Sequence, residues 1–319
     1  MSRSVRRHVA VVINKSSGSL IGTPLADRIA QHLAEAGVDA TLVPDDRPLP
    51  ARVEAALAVG ADAVVVGGGD GTIACAAQLL YGRDVALGII PLGTMNLLAK
   101  DLGIPLDPAT ACRALADGGV RQIDVGTVNG HVFLCNSVLG IPSRLARLRE
   151  RERGRMGPAA YWRLAVAGAR AFGRYPSLRI AIDMGDGPRR VRTWALAVAS
   201  NDYDEGVGQI MSRSKLDDGE LAVYVTGPFG IWRIMRLALG MAIGNWRKTP
   251  GLERYRTAGL SVHSRRSSLR LMNDGEILRL PPPLEYRIRQ RALSVIVPRA
   301  APGPALRSGA GAAAAPAAR

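Results

Sequence analysis

Five short segments of this chain gather the residue types that phosphoryl chemistry needs. "NKSSG" (14–18), "GGGDGT" (67–72) and "PLGTMN" (91–96) combine glycine with hydroxyls and amides. Glycine lets the backbone approach a ligand closely and aim successive N–H groups at it. "LDDGEL" (216–221) and "NDGE" (273–276) set carboxylates beside glycine. Carboxylate and carbonyl oxygens are hard ligands suited to Mg²⁺, and a carboxylate can accept the proton of an alcohol. Each segment also reads as plain structure: "NDG" as a hairpin turn, "DDG" as a turn, the Ser, Thr and Asn residues as helix caps. No Lys-Ser/Thr follows "GGGDGT", so it is not a P-loop, and it does not match GxGxxG.

The elements around these segments place them on one rim. Through about residue 123, apolar runs ("HVAVVIN", "DATLV", "ADAVVVGGG", "VALGIIPLG") alternate with helix-like stretches ("PLADRIAQHLAEAG", "ARVEAALAVG", "TIACAAQLLYG", "TMNLLAKDLG", "PATACRALADGG"). That alternation predicts a parallel sheet covered by helices, with Gly37 and Gly60 at helix C-termini. The three glycine segments then sit at carboxyl ends of strands, where open α/β sheets bind ligands, and the following helix N-termini favour phosphate. Beyond Ile123, "QIDVGTVNGHVFLCNSVLG", "SLRIAID", "RTWALAVAS", "ELAVYVT", "LSVHS", "SLRLMNDGEILRL", "LEYRIR" and "LSVIVP" read as strands of an antiparallel sandwich or barrel. Two helical insertions interrupt them, at about 143–173 and at "GPFGIWRIMRLALGMAIGNWRK". The expected organisation is an α/β nucleotide domain over 1–123, a β-rich substrate domain over 124–298, and an Ala/Pro-rich disordered tail over 299–319.

Composition narrows the partners. The chain has 319 residues, 47% hydrophobic and 4% aromatic, and 42 Lys+Arg against 27 Asp+Glu leave a formal charge of +15. Such a charge attracts phosphorylated ligands, nucleic acid or an anionic membrane face. Basic residues without interleaved aromatics argue against nucleic acid. Cys75, Cys112 and Cys135 are scattered and odd in number, which argues against zinc and a disulfide framework and fits a reducing cytoplasm. The apolar run Val9 to Ile13 is too short for a signal peptide, and no stretch approaches the ~18–20 apolar residues of a transmembrane helix.

"GGGDGT", "PLGTMN", "LDDGEL" and "NDGE" occur in the order and rough spacing of the diacylglycerol kinase catalytic-domain family, which the chain resembles from Val9 to about Pro298. "GGDGT" alone is shared with NAD kinases; the four segments together carry the likeness. The resemblance implies a soluble lipid kinase that uses ATP and Mg²⁺, with the NAD kinase/diacylglycerol kinase-like α/β fold followed by a β-sandwich. It implies that Asn14, Ser16, Ser17 and Gly18 form the first nucleotide loop, that Gly68, Gly69, Asp70, Gly71 and Thr72 hold ATP phosphates, and that Gly93, Thr94 and Asn96 complete that wall. It further implies that Asp218 binds a structural Mg²⁺ with the carbonyls of Lys215 and Glu220. Asp70 and Asp124 would belong to an acidic network around nucleotide-bound Mg²⁺. Glu276 would be the proton acceptor, with Asp274 the other candidate. Lys15 stands where the family usually has proline. Leu97 stands where many members have aspartate, and Asp101 one helical turn on is the available substitute.

The lipid would meet basic and apolar surfaces. "IWRIMRLALGMAIGNWRK" places Arg233, Arg236, Gly240, Gly244 and Arg247 on one helical stripe, with Trp232 and Trp246 near its ends. This suits an interfacial helix or an acyl-pocket wall, and equally a helix packed on the β domain. The arginines between Arg144 and Arg155 could dock anionic headgroups, or pair with Glu150 and Glu152 on a solvated helix. The reading is a lipid kinase acting on a diacylglycerol-like or sphingoid hydroxyl, peripheral at the cytoplasmic membrane face. Its rivals are an NAD kinase-like enzyme and a nucleotide- and membrane-binding module without catalysis. The oligomeric state is not legible.

Overall fold

The computed structural model describes residues 8–14, 25–140, 177–206, 211–227, 236–237, 239–240 and 243–299. Four parallel strands, β1 (His8–Ile13), β2 (Asp39–Leu42), β3 (Ala63–Gly68) and β4 (Ala86–Pro91), lie in the order β2-β1-β3-β4. Every residue of β3 and β4 is buried, as an uninterrupted Val/Ile run requires of a sheet covered on both faces. The covering helices are α1 (Leu25–Glu35), α2 (Leu49–Ala58), α3 (Asp70–Leu80), α4 (Leu97–Asp101) and α5 (Pro108–Asp117). α1 buries Leu25, Ile29 and Leu33, one residue per turn, and ends at Gly37 (φ 78°). There the N–H groups of Gly37 and Val38 close back on the carbonyls of Ala34 and Leu33.

The chain then becomes all-β: β5 (Gly119–Val128), β6 (His131–Phe133), β7 (Asn136–Gly140), β8 (Leu178–Asp183), β9 (Arg189–Thr193), β10 (Ala195–Ser200), β11 (Leu221–Thr226), β12 (Leu252–Thr257), β13 (Gly259–His263), β14 (Leu269–Asn273), β15 (Glu276–Leu280) and β16 (Leu284–Val297). Antiparallel β12-β11-β10-β7-β14-β15 form one sheet. The other continues the parallel sheet, β4-β16-β13-β8-β9, with β5 laid along β16 and β6 along β5. Leu139, Leu196, Val223 and Leu271 of the first sheet meet Leu260, Leu284 and Tyr286 of the second in a sandwich core.

The last strand differs from expectation. "LEYRIR" and "LSVIVP" are not two strands but the single 14-residue β16. Its first half pairs with β13, and its second half returns to the parallel sheet, where Val295 lies beside Leu87 of β4. A register shift against β5 between Arg289 and Leu293 bends it from one sheet region into the other. The division expected at 123/124 therefore falls inside β5, and β5 and β16 tie the two halves together rather than a linker.

The expected helical stripe is also shorter. Helical positions at 236–237, 239–240 and 243 end at Gly244 (φ 73°), where the Asn245 N–H closes on the Gly240 carbonyl. Trp246 and Arg247 lie beyond it in a 3₁₀ turn, Trp246–Lys248. Trp246 is buried against Tyr224, so it does not anchor an interface. Trp232, Arg233, the arginines between Arg144 and Arg155, and the tail from 300 lie outside the described residues.

Candidate active site

The order β2-β1-β3-β4 reverses direction between β1 and β3, which opens the crevice where such sheets hold ligands. Asn14 leaves β1 there, and its amide donates to the Thr72 hydroxyl at 2.9 Å across the crevice. Behind it, buried Arg52 of α2 donates to the Ile13 carbonyl at 2.9 Å and pairs with Asp45. Ser16, Ser17, Gly18 and Lys15 lie outside the described residues.

The next two loops are built against each other. Gly69 precedes α3 with extended backbone, so the first N–H groups of the helix open onto the rim. A Cβ on Gly93 would stand 2.5 Å from the Gly69 Cα, so position 93 needs glycine for the loops to touch, while a Cβ on Gly69 would make a tight 3.3 Å contact with the Gly93 Cα. Asn96 takes a left-handed conformation (φ 49°), and its amide grips both backbone groups of Gly93, at 3.0 and 2.8 Å. Asp70, the first residue of α3, accepts from the N–H groups of Asn96 (2.9 Å) and Leu97 (2.7 Å). Asp70 thus caps α4 from another segment, while the Leu97 side chain packs against a buried cluster that includes Ile73, Leu98 and Leu102. Each Asp70 oxygen keeps a lone pair for a further partner.

The hairpin β14–β15 brings the opposing wall. Asp274 (φ 45°) and Gly275 (φ 94°) form a two-residue turn with both central residues at positive φ, which suits the right-handed twist of the strands. The two carboxylates of "NDGE" diverge there. Asp274 turns inward and accepts from Leu134 N (2.6 Å), Cys135 N (2.8 Å) and Asn136 N (2.9 Å). Burial pushes its carboxyl above the ordinary range, and the three N–H donors work against that rise. Glu276 is exposed and reaches the other half of the molecule: a Cβ on Gly71 would lie 2.8 Å from its Oε1.

A buried ion pair braces these walls. Arg213, 1% exposed, donates to Asp101 Oδ2 from Nε (3.0 Å) and Nη2 (2.7 Å), and its backbone N–H reaches Asp101 Oδ1 at 3.0 Å. Its Nη1 donates to the carbonyls of Leu134 (2.6 Å) and Ser200 (2.7 Å). One guanidinium therefore joins α4 to the 134–136 segment that clamps Asp274. Burial raises the Asp101 carboxyl, and Arg213 opposes that rise. Asp101 is consequently no stand-in for the aspartate replaced by Leu97, because its carboxylate belongs to Arg213. Neither Arg213 nor Arg52 carries a local sequence signal; each is recognisable only from its burial and partners.

Asp124 is buried in the β16 register shift and accepts from Gly219 N (2.7 Å) and Arg291 N (2.8 Å). It holds the 215–220 turn against β16. In that turn Lys215 Nζ lies 3.7 Å from Asp218 Oδ1, and the Glu220 carbonyl accepts from Asn201 N at 3.0 Å. Among the described residues, no group of three His, Cys, Asp or Glu side chains is placed to hold a metal ion. Protein carboxylates alone do not make a metal cage here. A Mg²⁺ that keeps water and phosphate oxygens needs only one or two protein carboxylates, and Asp70 at the rim is a donor of that kind.

The family model described as the diacylglycerol kinase catalytic domain matches residues 8–128, and the one described as the YegS C-terminal NAD kinase beta sandwich-like domain matches residues 137–297. A Pseudomonas fluorescens protein named "Probable lipid kinase YegS-like" is 30% identical over 262 residues, covering 78% of this chain and 82% of that protein. The chain belongs to the diacylglycerol kinase family. A Pseudomonas aeruginosa protein of the same name is 36% identical over 176 residues, 54% of this chain and 57% of its own length. The chain thus matches little more than half of that relative. A crystal structure of a diacylglycerol kinase from Bacillus anthracis superposes with a TM-score of 0.68 at 21% identity, covering 92% of this chain and 97% of the other, which shows the shared fold.

Proposed function

We propose that this protein transfers the γ-phosphoryl group of ATP to a hydroxyl of a diacylglycerol-like or sphingoid lipid, with Mg²⁺, at an anionic cytoplasmic membrane face. The observation that carries this reading is the reach of Glu276 from the β-sandwich to Gly71 of the glycine-rich turn. It places a carboxylate of one half at the helix N-terminus of the other, where phosphate is favoured. Glu276 accepts the proton of the lipid hydroxyl as the new O–P bond forms and the bond from the γ-phosphorus to the β–γ bridging oxygen breaks, with ADP leaving. The N–H groups of the 68–72 loop, with those of Thr94 and Met95, cradle the phosphates, and Asn14 and Thr72 line the crevice beside them. Bound Mg²⁺ would neutralise phosphate charge, with Asp70 the carboxylate to hold it.

Asp274 is assigned a clamping role, because three backbone donors already use its oxygens. A structural Mg²⁺ on Asp218 and the carbonyls of Lys215 and Glu220 would displace the Lys215 ammonium. On the lipid side, Leu239 and Ile243 stand four residues apart and more than half exposed, an apolar pair open to an acyl chain or a bilayer surface. No helix among the described residues is long and apolar enough to cross a membrane. The names of the relatives support a lipid acceptor.

Transfer of label from γ-labelled ATP to extracted mixed lipids, by the wild type and by Glu276→Gln, tests the reading. A labelled lipid that disappears in the variant supports it. Label on NAD with none on lipid overturns it in favour of the NAD kinase-like activity. ATP binding with no transfer to any acceptor overturns it in favour of a binding module.

A further inference from the structure

Two buried amides among the described residues, Asn201 and Asn273, have neither side-chain atom in a hydrogen bond. An unmade hydrogen bond in a buried position destabilises the fold, so such a group calls for an explanation. Asn201 lies at the end of β10, beside Glu220. Asn273 is the one of the two that lies at the candidate site.

Asn273 ends β14 and pairs in register with Glu276 across the two-residue turn. Directly opposed residues of an antiparallel pair point to the same face, with Cβ atoms about 4.5–5.5 Å apart. On its other side Asn273 pairs with Ser137, whose hydroxyl is 3.1 Å from the Tyr286 hydroxyl. The amide of Asn273, 5% exposed, therefore shares a sheet face with the hydroxyl engaged with Tyr286 and with the carboxylate that reaches Gly71. The strand cannot swing it away, because the adjoining Asp274 is fastened by three backbone N–H groups.

We propose that Asn273 is a specificity-determining residue for the acceptor. Resting on the lipid kinase reading above, this inference adds that the side-chain amide binds a second polar group of the lipid, one or two carbons from the hydroxyl at Glu276. An amide offers both an acceptor oxygen and an NH₂ donor, so it suits a neighbouring ester carbonyl or hydroxyl. A simple alcohol presents neither and leaves the amide unpaired. Sites built to hydrogen-bond one substrate group discriminate strongly against acceptors that lack it.

The test compares the full-length wild type with Asn273→Leu, using 1,2-dioctanoylglycerol in mixed micelles as acceptor. Four quantities are read: kcat and KM for the lipid, Kd for ATP, and Tm. Expected is a loss of roughly 10- to 100-fold in kcat/KM for the lipid, carried mainly by KM. ATP affinity should stay within about twofold, with Tm unchanged or raised, since leucine removes an unpaired polar group. Unchanged lipid kinetics overturn the inference, as does a joint fall of Tm, ATP affinity and lipid turnover, which marks a structural role. Asn273→Ala replaces the leucine variant if that one does not fold. A wild type that labels neither this lipid nor extracted lipids defeats the lipid kinase reading itself. A wild type active on lipid beside an equally active variant defeats only the assignment of Asn273.

Discussion

The glycine rim and the β14–β15 hairpin face each other at Gly71 and Glu276, yet they are made in opposite ways. The rim is a meeting of backbones: Gly69 against Gly93, Asn96 folded onto Gly93, and Asp70 spending its oxygens on the N–H groups of Asn96 and Leu97. It presents donors and no side-chain bulk, which suits a phosphate chain. The hairpin presents side chains, and a tight turn sends two neighbouring carboxylates to different fates. Asp274 is held by three backbone N–H groups, and Glu276 faces the rim. A carboxylate two residues from another is thus no guide to its role; the donors around it decide.

Five single substitutions would break or sharpen this contrast. The largest effect is expected from Glu276→Gln, which should lower kcat about 10²- to 10⁴-fold, the usual range for a general base, with Tm unaltered. Asp274→Asn should do the reverse. An amide cannot serve three N–H donors, so stability in urea should drop by about 3 kcal/mol or more, since hydrogen bonds to a charged group contribute about 1.5–3 kcal/mol each. Kinetics and denaturant unfolding of the two variants, side by side, decide whether the carboxylates have these separate roles.

Arg213→Met comes next. It leaves Asp101 buried without its counter-charge, and urea unfolding should show a loss of about 3–5 kcal/mol. The double variant Asp101→Leu with Arg213→Met should recover most of that loss, because removing both charges leaves none unpaired. A double variant no more stable than the single one would mean that the bonds to Leu134 and Ser200, rather than the ion pair, hold the walls together.

Gly71→Ala is a smaller and more selective probe. Its Cβ would press on Glu276 Oε1, the far end of a flexible side chain, so the carboxylate should turn aside at little cost to stability. A fall in kcat of about tenfold, a modest part of the general-base contribution, with unchanged Tm is expected. Unaltered kcat would mean that Glu276 does not act where it lies in this structure.

The smallest effect is expected at Asp202. Burial works against ionisation of Asp202, but the Tyr224 hydroxyl, Arg256, Arg247 and Arg254 outweigh it and hold its carboxyl below the ordinary range. A lowered folded value means that Asp202 stabilises the protein above its unfolded pKa, about 3.9. That contribution is lost as pH falls through the lowered value. Asp202→Asn should flatten stability against pH below about pH 4 and leave lipid turnover at neutral pH unchanged. A steep acid limb retained in the variant would assign it to other carboxylates.

Much of the fold was legible because its signals are local. A run such as "AVVV" before glycines can only be a buried strand feeding a turn, and Leu25, Ile29 and Leu33 declare a helix face by spacing alone. The glycine turns were legible for the same reason, since close backbone approach demands glycine wherever it occurs. The limits of β16 were not, because "RQR" between two apolar runs looks like a loop. Only Asp124, distant in the chain, accepts the Arg291 N–H and lets the strand continue through its register shift.

The chain's own chemistry, then, decided which residues could bind phosphate or take a proton: glycines, amides and carboxylates at strand ends. The tertiary structure decided how they are used. Asp101 went to Arg213, Asp274 to the backbone of 134–136, and Glu276 to the rim. Hydrogen-bond donors brought from distant segments select among carboxylates that are chemically alike, and that selection depends on packing rather than on residue type.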